Sequence, residues 1–161
     1  MALTGSEQRL APLMTALGHV AREPRRALDI GTGTGTGALV MATRYPSADV
    51  VGIDLSEAMI AEANEKARRR GSLARFEVAD IAAFEWSQPF DLVLMMNMPP
   101  FFDRVAALVP PWGYVVSIAS RGPTTPFYTP AATLERGFRR RGLRTVTADP
   151  AGTYYVAERP L

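Results

Sequence analysis

Apolar side chains follow two different periods along this chain. Leu10, Leu13, Met14 and Leu17 recur at i, i+3, i+4 and i+7. That spacing predicts an amphipathic helix, with Pro12 tolerated in its first turns. Residues 26–30 read as a short strand entering a glycine-rich turn, and 38–45 as a helix stopped by Pro46. A β-branched run marks 49–54 as a buried strand. Ser56 suits the N-cap of a helix running to Arg70, with Gly71 as its stop. Strands are predicted at 75–80, 90–96 and 114–119, and a short helix at 102–109 is ended by Pro110 and Pro111. A helix over 129–141 ends at Gly142. Two closing strands, 143–148 and 153–157, flank Asp149-Pro150-Ala151-Gly152, which has the composition of a hairpin turn.

Strands alternating with helices predict an α/β domain whose mostly parallel sheet is wound on both sides. The final hairpin adds an antiparallel strand. In such sheets ligands bind outside the carboxyl ends of the strands, where the strand order reverses. The informative motifs of this chain all fall at such ends.

The chain has 161 residues and a mass of 17.5 kDa, which suits one domain: a helical segment over 1–25 and a core over 26–161. It has no Cys and a single His, His19. Disulfides, thiolate metal sites and a Cys nucleophile are excluded together, as is a multi-histidine metal site, so no metal is expected. Lys66 is the only lysine, and the net charge is +2. That charge gives no reason to expect nucleic acid as a partner. Arg68, Arg69 and Arg70, and Arg136 with Arg139, Arg140 and Arg141, stand near helix ends, where they complement the dipole. No apolar run approaches ~18 residues, so neither a membrane nor a signal peptide is expected, and the expected location is cytoplasmic.

The strongest local feature is the run from Asp29 through Ile30, Gly31, Thr32, Gly33, Thr34, Gly35 and Thr36 to Gly37. Alternating glycines after a strand let the backbone take positive φ and approach a ligand closely. The helix that follows turns its free amides toward that ligand. Two ligands compete for such a turn. Gly33 to Ala38 fits the G-x-G-x-x-A dinucleotide pattern, with Asp54 about 20 residues on, where a ribose-binding acid is expected. Asp29 argues the other way. An acid directly before the glycines repels a pyrophosphate and suits an ammonium group.

The segment Asp29-Ile30-Gly31-Thr32-Gly33-Thr34-Gly35 resembles motif I of the class I S-adenosylmethionine-dependent methyltransferases. Val51-Gly52-Ile53-Asp54-Leu55-Ser56-Glu57-Ala58-Met59 is similar to the second-strand segment of that family. Phe76-Glu77-Val78-Ala79-Asp80-Ile81 is similar to its third-strand end, and Phe90-Asp91-Leu92-Val93-Leu94 to its fourth strand. Pro110-Pro111-Trp112-Gly113 resembles the turn into strand five, where the family commonly has Pro-Gly-Gly. The resemblance runs from about Leu28 to Ala157 and is nearly silent about the substrate. It implies a Rossmann-like, doubly wound, mostly parallel seven-stranded sheet with a C-terminal antiparallel hairpin.

The resemblance also implies roles. S-adenosylmethionine is the expected cofactor. Gly31, Thr32, Gly33 and Gly35 would line its methionine and ribose side, with Asp29 near the ammonium group. Asp54 would accept from both ribose hydroxyls, work that suits a carboxylate, or would cap the strand end. Leu55 and Met59 would pack on the adenine, and Met59 could equally be a core residue. Asp80 would accept from the adenine amino group while the Ile81 amide donates to the ring; a turn role for Asp80 is the alternative. Asn97 would face the reacting end of the cofactor or serve as a turn former.

The segment Asn97-Met98-Pro99-Pro100-Phe101-Phe102 resembles the Asn-Pro-Pro-aromatic motif of methyltransferases acting on planar amides or amines, interrupted here by Met98. A stiff proline turn is the alternative reading. Met98, Pro100, Phe101 and Tyr128 are the candidate substrate-pocket residues. They predict a shallow, largely apolar pocket between the loops after strands four and five and the residues before Ala21. That pocket would suit a small or planar organic molecule.

The expected activity is methyl transfer to a small organic acceptor by in-line displacement, with alignment as the main contribution of the protein. No residue stands out as catalytic; Asp103, Tyr128 and His19 are the candidate bases. Two other readings stay open. One is a non-catalytic cofactor-binding subunit whose open substrate side is covered by a partner or a second copy. The other is a nicotinamide-dependent oxidoreductase.

Overall fold

The structure is a computed structural model and describes residues 5–161; of Ser6 and Glu7 only the backbone is described. Seven strands form one sheet: β1 (Arg26–Ile30), β2 (Asp49–Asp54), β3 (Arg75–Val78), β4 (Leu92–Met96), β5 (Tyr114–Ile118), β6 (Arg144–Ala148) and β7 (Tyr154–Glu158). Their order is β3-β2-β1-β4-β5-β7-β6. The first five are parallel, and β7 runs antiparallel between β5 and β6. The strand order reverses between β1 and β4, so the ends of β1, β2 and β4 frame the crevice where ligands bind in such sheets.

Five helices cover the faces: α1 (Gly5–Leu17), α2 (Thr36–Arg44), α3 (Glu57–Arg70), α4 (Phe102–Leu108) and α5 (Ala131–Arg139). The strands alternate their apolar side chains between two buried clusters. Ala27, Leu92, Leu94 and Val116 pack beneath Leu13 and Leu17 of α1 and Leu39 and Met41 of α2. Leu28, Ile30, Val93 and Met95 face Val105 and Leu108 of α4, Leu134 and Phe138 of α5, and Phe84. A period of two on the strands and 3.6 on the helices therefore closes both layers.

Most predicted boundaries lie within two residues of the observed ones. Ser56 Oγ accepts from the Met59 amide, and Gly71 ends α3 at φ 64°. The 149–152 turn closes as a hairpin, with the Gly152 amide donating to Asp149 O at 2.9 Å. Two features lay outside the sequence reading. No helix bridges β3 and β4; Phe84 and Trp86 of that connection stack on each other over the sheet. Trp112, in the turn before β5, is held at φ 70°, a left-handed backbone, beneath the Arg22 guanidinium at 4.2 Å from its ring. The C-terminal Arg159 ties three elements together. Its Nε, Nη1 and Nη2 donate to the carbonyls of Val109, Arg141 and Ala106.

Candidate functional site

The turn after β1 is built from backbone. Gly31, Gly33 and Gly35 take φ of 69°, 57° and 89°, values at which a Cβ is strained. The Thr32 amide donates to Ile53 O at 2.8 Å, which ties the turn to the end of β2. A Cβ at Gly33 would meet nothing within 4 Å, so this stretch of backbone faces open space. At Gly35 a Cβ would stand 2.8 Å from the Phe76 ring, so here glycine is needed for packing.

Asp29 lies underneath the turn and is 2% exposed. Its Oδ2 accepts from Thr32 Oγ1 at 2.8 Å and from the Ala38 amide at 3.1 Å. Burial raises its pKa to about 7; the two hydrogen bonds oppose the rise, and the Asp54 charge adds to it. Its Oδ1 is buried and has no protein partner. Thr32 is buried and turned inward onto Asp29, and only Oδ1 of Asp29 is left to reach another group. Close beside them, Lys66 of α3 donates from Nζ to Thr34 Oγ1 at 3.1 Å and to Thr36 Oγ1 at 3.4 Å. Burial lowers the Lys66 pKa, and the Arg70 charge lowers it further. No local pattern in the sequence marks this tether. The one signal for it was that Lys66 is the only lysine.

At the end of β2, Asp54 holds both sides of its own loop. Oδ2 accepts from the Gly33 amide and Oδ1 from the Ser56 amide, each at 2.9 Å. The strand-end role is therefore filled, and each oxygen keeps a second lone pair. Leu55 is 72% exposed and Met59 42% exposed on the adjoining surface. Met59 is therefore no core residue. Asp80 is exposed and makes the turn after β3, with Oδ1 accepting from the Ala82 amide at 2.9 Å. The Ile81 side chain is buried, and its carbonyl accepts from Arg104 Nε.

At the end of β4, Asn97 takes φ 59° and donates its backbone amide to Ile118 O at 2.8 Å. Its Oδ1 accepts from both the Ser120 amide (2.9 Å) and Ser120 Oγ (3.1 Å). An obligate N–H donor on that oxygen fixes the side-chain orientation. Asn97 thus forms the turn and ties β4 to the residues after β5. Ser120 lies 23 residues away, and no local pattern pointed to it. Met98 crosses from this loop to the glycine turn. A Cβ at Gly31 would stand 2.5 Å from Met98 Sδ, so the thioether covers that face of Gly31 and must swing aside for a ligand to reach it.

A crevice lies between the loops after β4 and β5, and Met98 and Tyr128 are among the residues that line it. It differs from the expected pocket in three respects. Its free volume is about 20 Å³, enough for one water and too little for a ring. Its lining mixes apolar side chains with Asn97, Ser117, Thr125, Tyr128, Thr129 and Tyr154. Pro100 and Phe101 do not line it. Phe101 begins α4 at φ 42° and packs against the core instead. Residues before Ala21 are also absent from the lining, because α1 docks on the sheet through Leu13 and Leu17. Of the candidate bases, only Tyr128 borders the crevice. Asp103 pairs with Arg141 at 2.7 Å, and His19 is exposed with its ring stacked on Tyr154.

The model of the family described as "Methyltransferase domain" matches residues 27–109, which hold β1 to α4 and both sides of the glycine turn. The chain belongs to the class I S-adenosylmethionine-dependent methyltransferases. Over 106 residues this chain is 33% identical to a trans-aconitate 2-methyltransferase of Methylobacterium nodulans, covering 65% of this chain and 40% of that protein. It is 44% identical over 89 residues to a demethylmenaquinone methyltransferase of Thermus thermophilus, covering 54% of this chain and 40% of the relative. The chain thus spans about two fifths of the length of these curated relatives. Among solved structures it is similar to the N-methyltransferase NodS from Bradyrhizobium japonicum. The TM-score is 0.72 at 18% identity, with 97% of this chain and 96% of that one covered; the likeness is one of fold.

The residues of this chain fit S-adenosylmethionine. Gly33 offers open backbone, Asp54 has spare acceptor capacity beside it, Leu55 and Met59 present an apolar surface, and Asp29 Oδ1 is an orphaned acceptor below the turn. With the family settled, the nicotinamide reading loses its support. Repulsion of a pyrophosphate by Asp29 is weaker than the sequence suggested, because Asp29 is buried under the turn and burial raises its pKa to about 7. No helix among the described residues is long and apolar enough to cross a membrane, and no cluster of acids or histidines among them could hold a metal ion.

Proposed function

We propose that this chain transfers a methyl group from S-adenosylmethionine to a small organic acceptor. The reading rests above all on one observation: the glycine turn, open at Gly33, meets the Asp54 carboxylate at 2.9 Å, next to exposed Leu55, at the reversal of strand order. The cofactor supplies an activated methyl on a sulfonium. Asp54 would accept from the ribose hydroxyls while keeping its bonds to Gly33 and Ser56. Leu55 and Met59 would cover one face of the adenine, and Asp80 with the Ile81 amide would border its edge. Asp29 Oδ1 would accept from the ammonium group. Met98 and Asn97 would form the wall between cofactor and acceptor, which holds the two in line and keeps water out. Calorimetry with S-adenosylhomocysteine tests the binding half of this reading. Methyl transfer to a panel of small acceptors tests the rest.

The water-sized crevice favours a second reading, in which the chain binds the cofactor and a partner or a second copy completes the acceptor site. Turnover by the isolated chain separates the two. A chain that binds S-adenosylhomocysteine and turns over no acceptor supports the second.

A further inference from the structure

Away from the strand ends, the chain carries a second and larger opening. A groove of about 620 Å³ lies between α1, α2 and the link from α3 to β3. That volume falls within the roughly 300–1,000 Å³ of small-molecule sites. Leu39 and Ala74 are buried at its floor, and Met14, Val40, Ala42 and Leu73 add apolar walls. Leu73 is 88% exposed and Met14 43% exposed, so two large apolar side chains of the groove are left to water. No residue of the glycine turn and none of the β4–α4 loop lines it. A molecule seated there is therefore neither the cofactor nor the methyl acceptor.

The charge along the groove has one sign. Arg44, the last residue of α2, and Arg70, the last of α3, both line it, and no Asp or Glu is among the lining residues. Arg70 has no hydrogen bond or ion pair among the described residues. Arg44 has the Tyr45 ring 5.8 Å from its guanidinium carbon and no carboxylate partner among them. Acids close by in sequence are already paired: Asp49, next to Ala48 of the lining, with Arg26 and Arg75, and Glu65 with Arg68. The carbonyl ends of α2 and α3 are partly negative and oppose an anion at the backbone. They are capped in part, by the Tyr45 amide on Met41 O and the Gly71 amide on Arg68 O. An anionic head is thereby kept at the rim, where the long arginine side chains reach, and their aliphatic stems extend the apolar wall.

These features select an amphipathic anion with an aliphatic body. The lining contains no Phe, Tyr, Trp or His, so a planar molecule finds no ring to stack on. Its apolar walls favour methylene groups over water. Two guanidinium groups without a carboxylate are matched by an anionic head and repel a cationic one. The concave shape excludes a flat bilayer surface from the floor at Leu39 and Ala74, whereas a single chain reaches it.

We infer that the groove between α1, α2 and the α3–β3 link binds an alkyl-chain carboxylate without reacting with it. The chain lies over Leu39, Val40 and Leu73, and the head meets Arg44 and Arg70. The site is separate from the cofactor crevice, and the inference does not rest on methyl transfer.

The test uses the full chain without cofactor and four probes: decanoate, decanol, decyltrimethylammonium and acetate, each kept below the concentration at which it forms micelles. Calorimetry is expected to show decanoate at one site, bound at least tenfold more tightly than acetate or decyltrimethylammonium and at least threefold more tightly than decanol. Backbone amide resonances of Thr43, Gly71 and Leu73 should shift with decanoate while those of Gly31, Gly33 and Gly35 stay in place. Arg70→Gln and Leu73→Gln alter exposed side chains, so the denaturation midpoint should hold while the decanoate dissociation constant rises at least fivefold in each. Equal binding of the cationic probe overturns the inference, as do shifts confined to the glycine turn or unchanged decanoate affinity in both variants. Absence of decanoate binding overturns it too, including the cases where the chain sediments with anionic vesicles or self-associates through the groove instead. Calorimetry with S-adenosylhomocysteine on the same protein tests the methyltransferase reading by itself, so either can fail while the other stands.

Discussion

The two halves of the crevice are held together in different ways. At the ends of β1 and β2, the turn from Asp29 to Ala38 is closed by bonds within ten residues, by the Ile53 carbonyl and the Asp54 carboxylate of the next strand, and by Lys66 of α3. At the ends of β4 and β5, Asn97 depends on Ser120, Met98 leans on Gly31, and the crevice wall draws on residues from β4 through β7. The first half is a rigid backbone cradle. The second is a side-chain assembly whose shape depends on distant loops. On the proposed function, the first would bind a cofactor of fixed structure and the second would accommodate variation in acceptor.

The contrast can be broken most forcefully at Gly35. Gly35→Ala imposes a left-handed backbone on alanine and places a Cβ against Phe76, and we expect a loss of roughly 2–4 kcal/mol of stability by chemical denaturation. If the cradle tolerates that change, its rigidity is overstated. Asp54→Ala leaves the Gly33 and Ser56 amides without their acceptor and removes the ribose partner. Calorimetry should show S-adenosylhomocysteine affinity reduced by roughly 1–3 kcal/mol, and unchanged affinity would move the cofactor elsewhere.

Asp29 sharpens the comparison through pH. Its pKa in the fold is about 7, above the ordinary 3.8, so the native state holds its proton more tightly than the unfolded chain. The contribution to stability is full below about pH 4. It declines by about 1 kcal/mol per pH unit as pH rises toward 7, and it levels off above that. Asp29→Asn should remove this slope from a series of denaturation curves. A slope that survives the substitution would assign it to another group. The smallest effect belongs to Leu55→Ser. An exposed side chain contributes little to the fold, so stability should stay within about 0.5 kcal/mol of the parent while S-adenosylhomocysteine binds measurably more weakly. A large loss of stability would show that Leu55 serves the fold.

The same division explains what could be read before the fold was seen. The strand and helix order, the Ser56 cap, the Gly71 stop and the hairpin at 149–152 each depend on neighbours a few residues away. The glycine turn and Asp54 were legible for the same reason. Phe101 was misplaced as a pocket wall, because its φ of 42° and its packing on the core depend on α4 and on how the loop enters it. The N-terminal helix was expected to close the site and instead covers the sheet, because its apolar stripe matches the sheet face, where Leu13 and Leu17 are fully buried.

By itself, the sequence determined the class of the domain, the position of the glycine turn and the family. Local periodicity, capping and positive-φ glycines act over one or two turns of chain, and their signals survive without tertiary context. Only the tertiary structure decided that Asp29 is buried and shifted, that Lys66 reaches across to Thr34 and Thr36, and that Asn97 turns its side-chain oxygen to Ser120. Burial, desolvation and the choice of hydrogen-bond partner depend on which distant segments the sheet order brings together, and no local pattern encodes that.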